Sequence, residues 1–337
     1  MFKKIYITNL PSFYKINLFN RILAHQKLFV VFTHDHSADR TADFYKGDRQ
    51  FEYKSIARLT TLEKILFIRK LLKENPDAEV IVGGWDELVF FAACLLHPKR
   101  KNSIILESSN YESSTRGIKG AIKQLFLTRI SKAYSSGKSQ ANLLTSLGFK
   151  EEIKITRGVG IFNIVKQPAF EARDVVKNFL YVGRLSPEKN LDFVIKTFND
   201  LPDLRLNIIG SGPEEDFLRS ISAPNIIFHG QVDNERLSEI YQKNDVFVLA
   251  SKSEPWGLVV EEALNNGLPV IISDKVGCAD EIINDHNGLI FMLDEANGLK
   301  NAVIDMTNVE LYNTMRLAIS KMNFDKIAEE QVKVHLV

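Results

Sequence analysis

Four side chains in the second half of the chain have the types and spacing to hold a charged, hydroxyl-bearing ligand. Arg184 and Lys189 lie five residues apart in "YVGRLSPEKN", where Gly183 closes a run of strand-forming residues. Glu254 and Glu262 lie eight apart in "SEPWGLVVEEALNNGLPVI", a stretch with three carboxylates and no Lys, Arg or His. An Arg and a Lys in one loop are ordinarily a solvated pair. A loop at the carboxyl end of a strand, however, is where an open α/β sheet binds its ligands.

The sequence after "DVFVLA" predicts a loop, "SKSEPWG", and then a helix that begins near Trp256 or Gly257 and ends at Asn266, capped by Gly267. The amides of Gly257, Leu258 and Val259 at its start have no carbonyl within the helix to bond, so they form an anion site. A phosphate there repels a nearby carboxylate unless that carboxylate has hydroxyls to accept from, such as a ribose diol. This gives Glu262 a partner, and it gives Glu254, ahead of the helix, a similar hold on sugar hydroxyls. Leu258, Glu262 and Asn265 are expected on one stripe, apart from the packing positions Val260 and Leu264. Glu261 best fits the ordinary role of an acid at a helix amino end, worth about 0.3–1 kcal/mol. "IIGSGPEEDFL" sets Gly210 and Gly212 in a tight turn that lets a ligand approach backbone. Glu215 stands where a dinucleotide fingerprint needs its third glycine, and no acid ends "NIIFHG", which disfavours a nicotinamide site.

The elements that must position these residues alternate through all 337 residues, short β-branched or aromatic runs with helix-length amphipathic segments. The first series is "KIYIT", "LFVVFT", "AEVIV", "SIILE", then the weaker "AYSS" and "IKIT". The second is "NFLYVG", "LRLNIIG", "NIIFHG", "DVFVLA", "LPVIIS" and "NGLIF". The expected fold is α/β with two Rossmann-like, doubly wound domains facing a cleft. Residues 1–165 would form one domain and 166–320 the other, with a last helix over 321–337 crossing back. A Thr60/Glu63 capping box opens a helix that closes before Pro76. Leu88 to Leu96 reads as a buried helix after a glycine turn, with Trp85 able to reach the cleft.

The net charge of +1 conceals a division: residues 1–165 carry 26 Lys and Arg against 15 Asp and Glu, and the remainder 17 against 27. Cys94 and Cys278 offer neither a disulfide framework nor zinc-ligand spacing, so a reducing cytoplasm is expected. The amino terminus does not read as a signal peptide, and the longest apolar run is about half of what spans a bilayer. His34, Asp35 and His36 cannot all converge on a metal from an extended segment and read as a polar loop.

"EPWGLVVEEALNNGLPVI" resembles the E-x7-E segment of glycosyltransferase family 4, retaining enzymes of GT-B fold that include bacterial surface-polysaccharide and glycolipid types. "VGRLSPEKN" is similar to that family's phosphate loop, and "IIGSGPEEDFL", "FHGQV" and "VGCADEII" followed by "NGLIF" keep the family's order. The resemblance implies that Arg184 and Lys189 bind a nucleotide diphosphate beside Gly183 and Gly210, that Glu262 holds the ribose, and that Glu254 holds the donor sugar. It implies a UDP- or GDP-linked sugar as substrate, no cofactor and no metal, and a glycan or polyprenyl-linked acceptor. "RGVG" looks like the family's turn before the linker, and the resemblance places Gly158 there among the donor-binding residues. Where many relatives place a His near the transferred sugar, this chain has Glu107 to Asn110, so Glu107, Asn110 and Trp85 stand as acceptor-side candidates. The sequence also admits a GT-B epimerase or hydrolase, or a non-catalytic nucleotide-sugar-binding subunit.

Ser113 to Phe149 contains six bases and no acid. Arg116, Lys119, Lys123 and Arg129 alternate there with Ile118, Ile122, Leu125 and Phe126 at helical spacing, which suits attachment to the anionic inner face of a membrane. The solvated-face alternative stays open, and no motif supports nucleic-acid binding.

Overall fold

The computed structural model describes residues 1–37, 42–107, 114–161 and 164–336. It divides into two compact units, one of residues 1–162 with 327–337, the other of residues 163–326.

The first unit holds a parallel sheet of β1 (Lys4–Thr8), β2 (Leu28–Phe32), β3 (Glu52–Ser55), β4 (Glu79–Val82), β5 (Asn102–Leu106), β6 (Lys132–Ser135) and β7 (Glu152–Ile155), in the order β3-β2-β1-β4-β5-β6-β7. Period-two alternation splits β1 between two cores. Ile5 and Ile7 pack with Val80, Phe90, Ile104 and Leu143, while Tyr6 packs with Phe19, Phe32, Ile81, Tyr134 and Val332 on the other side. Val332 lies in the chain's last helix, Phe324–Val334, so the carboxyl-terminal segment covers part of this second face.

The sequence reading missed β3. Glu52, Tyr53 and Lys54 are exposed, because the strand pairs only with β2 at the sheet's edge and presents no apolar run to recognise.

The second unit holds β8 (Asn178–Val182), β9 (Arg205–Ile209), β10 (Ile226–Gly230), β11 (Val246–Leu249), β12 (Val270–Ser273) and β13 (Gly288–Phe291), all parallel, in the order β10-β9-β8-β11-β12-β13. From β8 the chain builds outward to β10, then returns to lay β11 against the other side of β8. The loops leaving β8 and β11 therefore diverge at the topological switch point, where such sheets open a crevice.

Leu88–Leu96 corrects an expectation. Val89, Phe90, Ala93 and Cys94 are buried, but Leu88, Leu95 and Leu96 are exposed, because a helix lying on a sheet turns only one stripe inward.

Candidate functional site

The two switch-point loops of the second unit carry Arg184 with Lys189 and Glu254, and they are fastened together. The Lys252 amide donates to the Glu188 carbonyl at 2.8 Å, and the Asn190 amide group to the Ala250 carbonyl at 3.1 Å. Asn190 adopts a left-handed conformation, φ 59°, that turns the chain into the helix Leu191–Asn199. Beneath the first loop, the buried Tyr181 hydroxyl donates to the Arg184 carbonyl at 2.8 Å. Arg184 is exposed. The Lys189 ammonium bonds the Glu254 carboxylate, and the two side chains are only 18% and 13% exposed.

Glu254 is held by its backbone in a parallel bridge to Val276: its amide donates to the Lys275 carbonyl at 3.2 Å, and its carbonyl accepts from Gly277 at 2.9 Å. Gly277 must be glycine here, since a Cβ would lie 1.9 Å from the Pro255 carbonyl oxygen.

The helix that follows spans Leu258–Asn265, with Gly257 as its left-handed N-cap at φ 97°. Val260, Ala263 and Leu264 are buried, whereas Leu258, Val259 and Glu262 stay half-buried. The Tyr241 hydroxyl donates to Glu262 Oε2 at 3.2 Å. Enclosure of that carboxyl pushes its pKa up to about 7, against the lowering effect of the Tyr241 hydrogen bond and with a further rise from Glu261.

Glu261 is the acid of the helix's first turn, as expected, and it is also buried, 2% exposed and accepting from Trp256 Nε1 at 2.6 Å. One expectation for this helix is corrected. Asn265 does not share the open stripe of Glu262. It is buried, accepting from the Val165 amide at 2.9 Å and donating to the Val165 carbonyl at 3.1 Å, so the chain entering the unit occupies that side.

Gly210 faces protein backbone rather than open space. A Cβ there would stand 1.9 Å from the Gly183 carbonyl oxygen, so its glycine lets the loop after β9 lie on the loop after β8. The Gly183 amide donates to Ile209 at 3.0 Å, and Leu185 to Ser211 at 3.0 Å. Gly210 and Gly183 thus support Arg184 from below. Sequence reasoning missed Tyr181, Tyr241 and Trp256. Tyr181 lies three residues before Arg184 but within a run that reads as strand core, and Tyr241 approaches from a position with no local spacing signal, while Trp256 and Glu261 carried a weak one, five residues apart across a helix start.

In the first unit, Glu107 follows β5 and lies 3.5 Å from the ammonium of Lys15, a buried residue that also bonds Thr8 Oγ1 at 3.2 Å and Asn9 Oδ1 at 3.3 Å. Glu107, Lys15 and Thr8 line a cavity of about 20 Å³ with Gly83, Ser136, Thr156 and His335. Asn110 lies outside the described residues. Trp85 is half-buried against the unit's core, with the Lys123 ammonium 5.1 Å from its ring centre. Gly158, φ 77°, sits in the turn after β7 and donates to the Ser136 carbonyl at 3.1 Å.

His34, Asp35 and His36 turn to separate partners: His34 to Glu87 at 3.4 Å, Asp35 to Ser55 at 2.5 Å, and His36 to the ring of Tyr45. Among the described residues, no three metal-ligating side chains converge. Among them also, no helix is long and apolar enough to cross a membrane.

The helix Gly117–Leu127 buries Phe126 and Leu127 and exposes Ile118, Ile122 and Leu125. Arg116 and Lys119 are exposed beside them, and Lys123 is half-buried. Phe91 packs on Phe126 at 4.6 Å, and Arg129 approaches the Cys94 carbonyl at 3.4 Å. These contacts join this region to the helix Leu88–Leu96, in which Leu88, Leu95 and Leu96 are also exposed.

Residues 166–322, a little under half of the chain, match the family model of the glycosyl transferases group 1. The chain is 38% identical over 110 residues to the sulfoquinovosyl transferase SQD2 of Arabidopsis thaliana, covering 32% of this chain and 22% of that protein. It is 37% identical over 115 residues to a GDP-mannose-dependent alpha-mannosyltransferase of Mycobacterium tuberculosis, covering 34% and 30%. The aligned region thus spans less than a third of either relative. Among solved structures, HepE of Anabaena in complex with UDP superposes with a TM-score of 0.73 at 13% identity, covering 99% of both chains. The fold is therefore that of the GT-B glycosyltransferases, with its second unit matching their group 1 domain.

Proposed function

We propose that this chain transfers a sugar, with retention at the anomeric carbon, from a UDP- or GDP-linked donor to a glycan or lipid-linked acceptor. The observation that carries the reading is the meeting of two cation- and carboxylate-bearing loops and a helix amino end at one switch point. As the bond between sugar and phosphate breaks, charge develops on the departing diphosphate. Arg184, Lys189 and the first amides of Leu258–Asn265 stabilise that charge, so the step needs no resident metal. Glu254 orients the donor sugar through its hydroxyls, and Glu262 accepts from the ribose. The GDP-mannose dependence of one relative and the UDP bound by one structural neighbour agree with such a donor.

In this reading Glu107 of the first unit is the acceptor's hydroxyl-accepting group. The exposed Ile118, Ile122 and Leu125 of the helix Gly117–Leu127, with Arg116 and Lys119 beside them, suit peripheral attachment to an anionic leaflet. Each base adds about 1 kcal/mol there.

The test is a thermal-shift screen of UDP, GDP and ADP and their sugars, followed by radiolabelled donor with lipid extract. Stabilisation by one nucleotide family and transfer of label into lipid or glycan is the expected result. Isomerisation or hydrolysis of the donor alone would favour an epimerase or hydrolase, and binding without turnover a partner subunit. Flotation with anionic vesicles, lost on Ile118→Ser with Leu125→Ser, checks the membrane face.

A further inference from the structure

We infer that the Lys189–Glu254 pair makes this site distinguish a sugar-loaded nucleotide from the spent nucleoside diphosphate. The inference rests on the nucleotide reading above and adds a selection step to it.

Both partners are fixed from behind. Glu254 is clamped on its backbone by Lys275 and Gly277, and the loop bearing Lys189 is tied to the Glu254 loop through Glu188 and Asn190. With side chains only 18% and 13% exposed, the pair lies well inside the range where removing one partner leaves the other charge poorly solvated. A diphosphate that recruits the Lys189 ammonium takes it away from Glu254. The carboxylate then faces both a missing cation and a new anion.

A loaded nucleotide brings the remedy, because sugar hydroxyls donate to the carboxylate in place of the ammonium. A nucleoside diphosphate brings none. Lys189 is therefore shared out differently in the two complexes: released to phosphate when a sugar engages Glu254, and drawn back when the sugar has gone. The pair weakens the hold on product without weakening the hold on donor, and differential affinity of this kind favours turnover.

The experiment is calorimetry with UDP, GDP, UDP-glucose and GDP-mannose on the full chain and on Glu254→Gln, Lys189→Met and the double variant, with melting curves as a folding control. Glu254→Gln is expected to bind the nucleoside diphosphate about tenfold more tightly while gaining nothing for the sugar nucleotide. In the Lys189→Met background the same change should alter diphosphate affinity little. Glu254→Gln binding the diphosphate no more tightly than wild type would overturn the inference, as would equal tightening with and without Lys189, which would mark simple charge repulsion. If Glu254→Gln does not fold, Glu254→Asp, which draws the carboxylate back by one carbon, replaces it with the same expected direction. The nucleotide reading itself fails separately, and takes the inference with it, if wild type binds none of the four or if Lys189→Met leaves diphosphate affinity unchanged.

Discussion

The indole Nε1 of Trp256 donates to Glu261 Oε1 at 2.6 Å, joining the loop that carries Glu254 to the first turn of the helix whose amides are offered to an anion. Glu261 is buried, so this bond satisfies a carboxylate that water cannot reach. Trp256→Phe keeps most of the packing and removes the donor. It is expected to destabilise the protein by about 1–3 kcal/mol, measured by denaturant unfolding. A loss below a few tenths of a kcal/mol would show that the bond contributes nothing there.

Arg184→Ala and Lys189→Ala are expected to lower turnover each on the order of 10²–10³-fold, as removal of one transition-state donor does. Arg184 is exposed, so its removal should leave the melting temperature unchanged. Near wild-type rates in both variants would contradict the diphosphate assignment.

Enclosure pushes the Glu262 pKa up to about 7, and the ionised form is the stronger acceptor for the hydroxyls of a diol. Nucleotide affinity should therefore weaken as pH falls from 8 to 6 in the wild type. The same calorimetric series on Glu262→Gln should show a lower affinity that varies less with pH. Parallel pH profiles for the two proteins would remove Glu262 from the ribose.

His335 gives a stability prediction of fixed sign. It is buried and stacked on Tyr134 at 4.9 Å, near Tyr6, with Lys4, Lys154 and Glu79 as the charged groups around it. Burial, and after it the Lys4 cation, pull its pKa from 6.5 down to about 3. The unfolded chain binds this proton below pH 6.5 and the folded chain does not, so the stabilising contribution is complete above 6.5 and declines toward pH 3. The decline is at most about 1.4 kcal/mol per pH unit. Wild type should lose stability relative to His335→Phe between pH 6.5 and 5, by chemical denaturation. A constant difference across that window would refute it.

Much of the architecture was legible because eleven of the thirteen strands among the described residues carry buried positions that show as apolar or β-branched runs between helical segments, and the half-buried Glu152–Ile155 still shows weakly through Ile153 and Ile155. The exception, Glu52–Ser55, borrows its regularity from β2 and has no pattern of its own. The residues bearing charge at the switch point could be read from strand-exit position and spacing. Their partners could not: Tyr181 and Tyr241 act through hydroxyls that meet the site only after folding, and helical spacing set Glu262 apart from the packing stripe without showing that Glu261 would be buried against Trp256. Leu88–Leu96 misled because its composition is apolar all round while its neighbours cover one side alone.

Asn265 clasps Val165 through both its amide oxygen and its amide nitrogen, as a neighbouring strand would. The far end of the helix Leu258–Asn265 is thereby moored to the chain thirteen residues before β8 begins. Lengthening or shortening residues 166–177 by even one position would pull on that mooring and tilt the opposite tip, where Gly257 and Leu258 stand. This stretch, though it carries none of the chemistry, should tolerate substitution far better than a change of length.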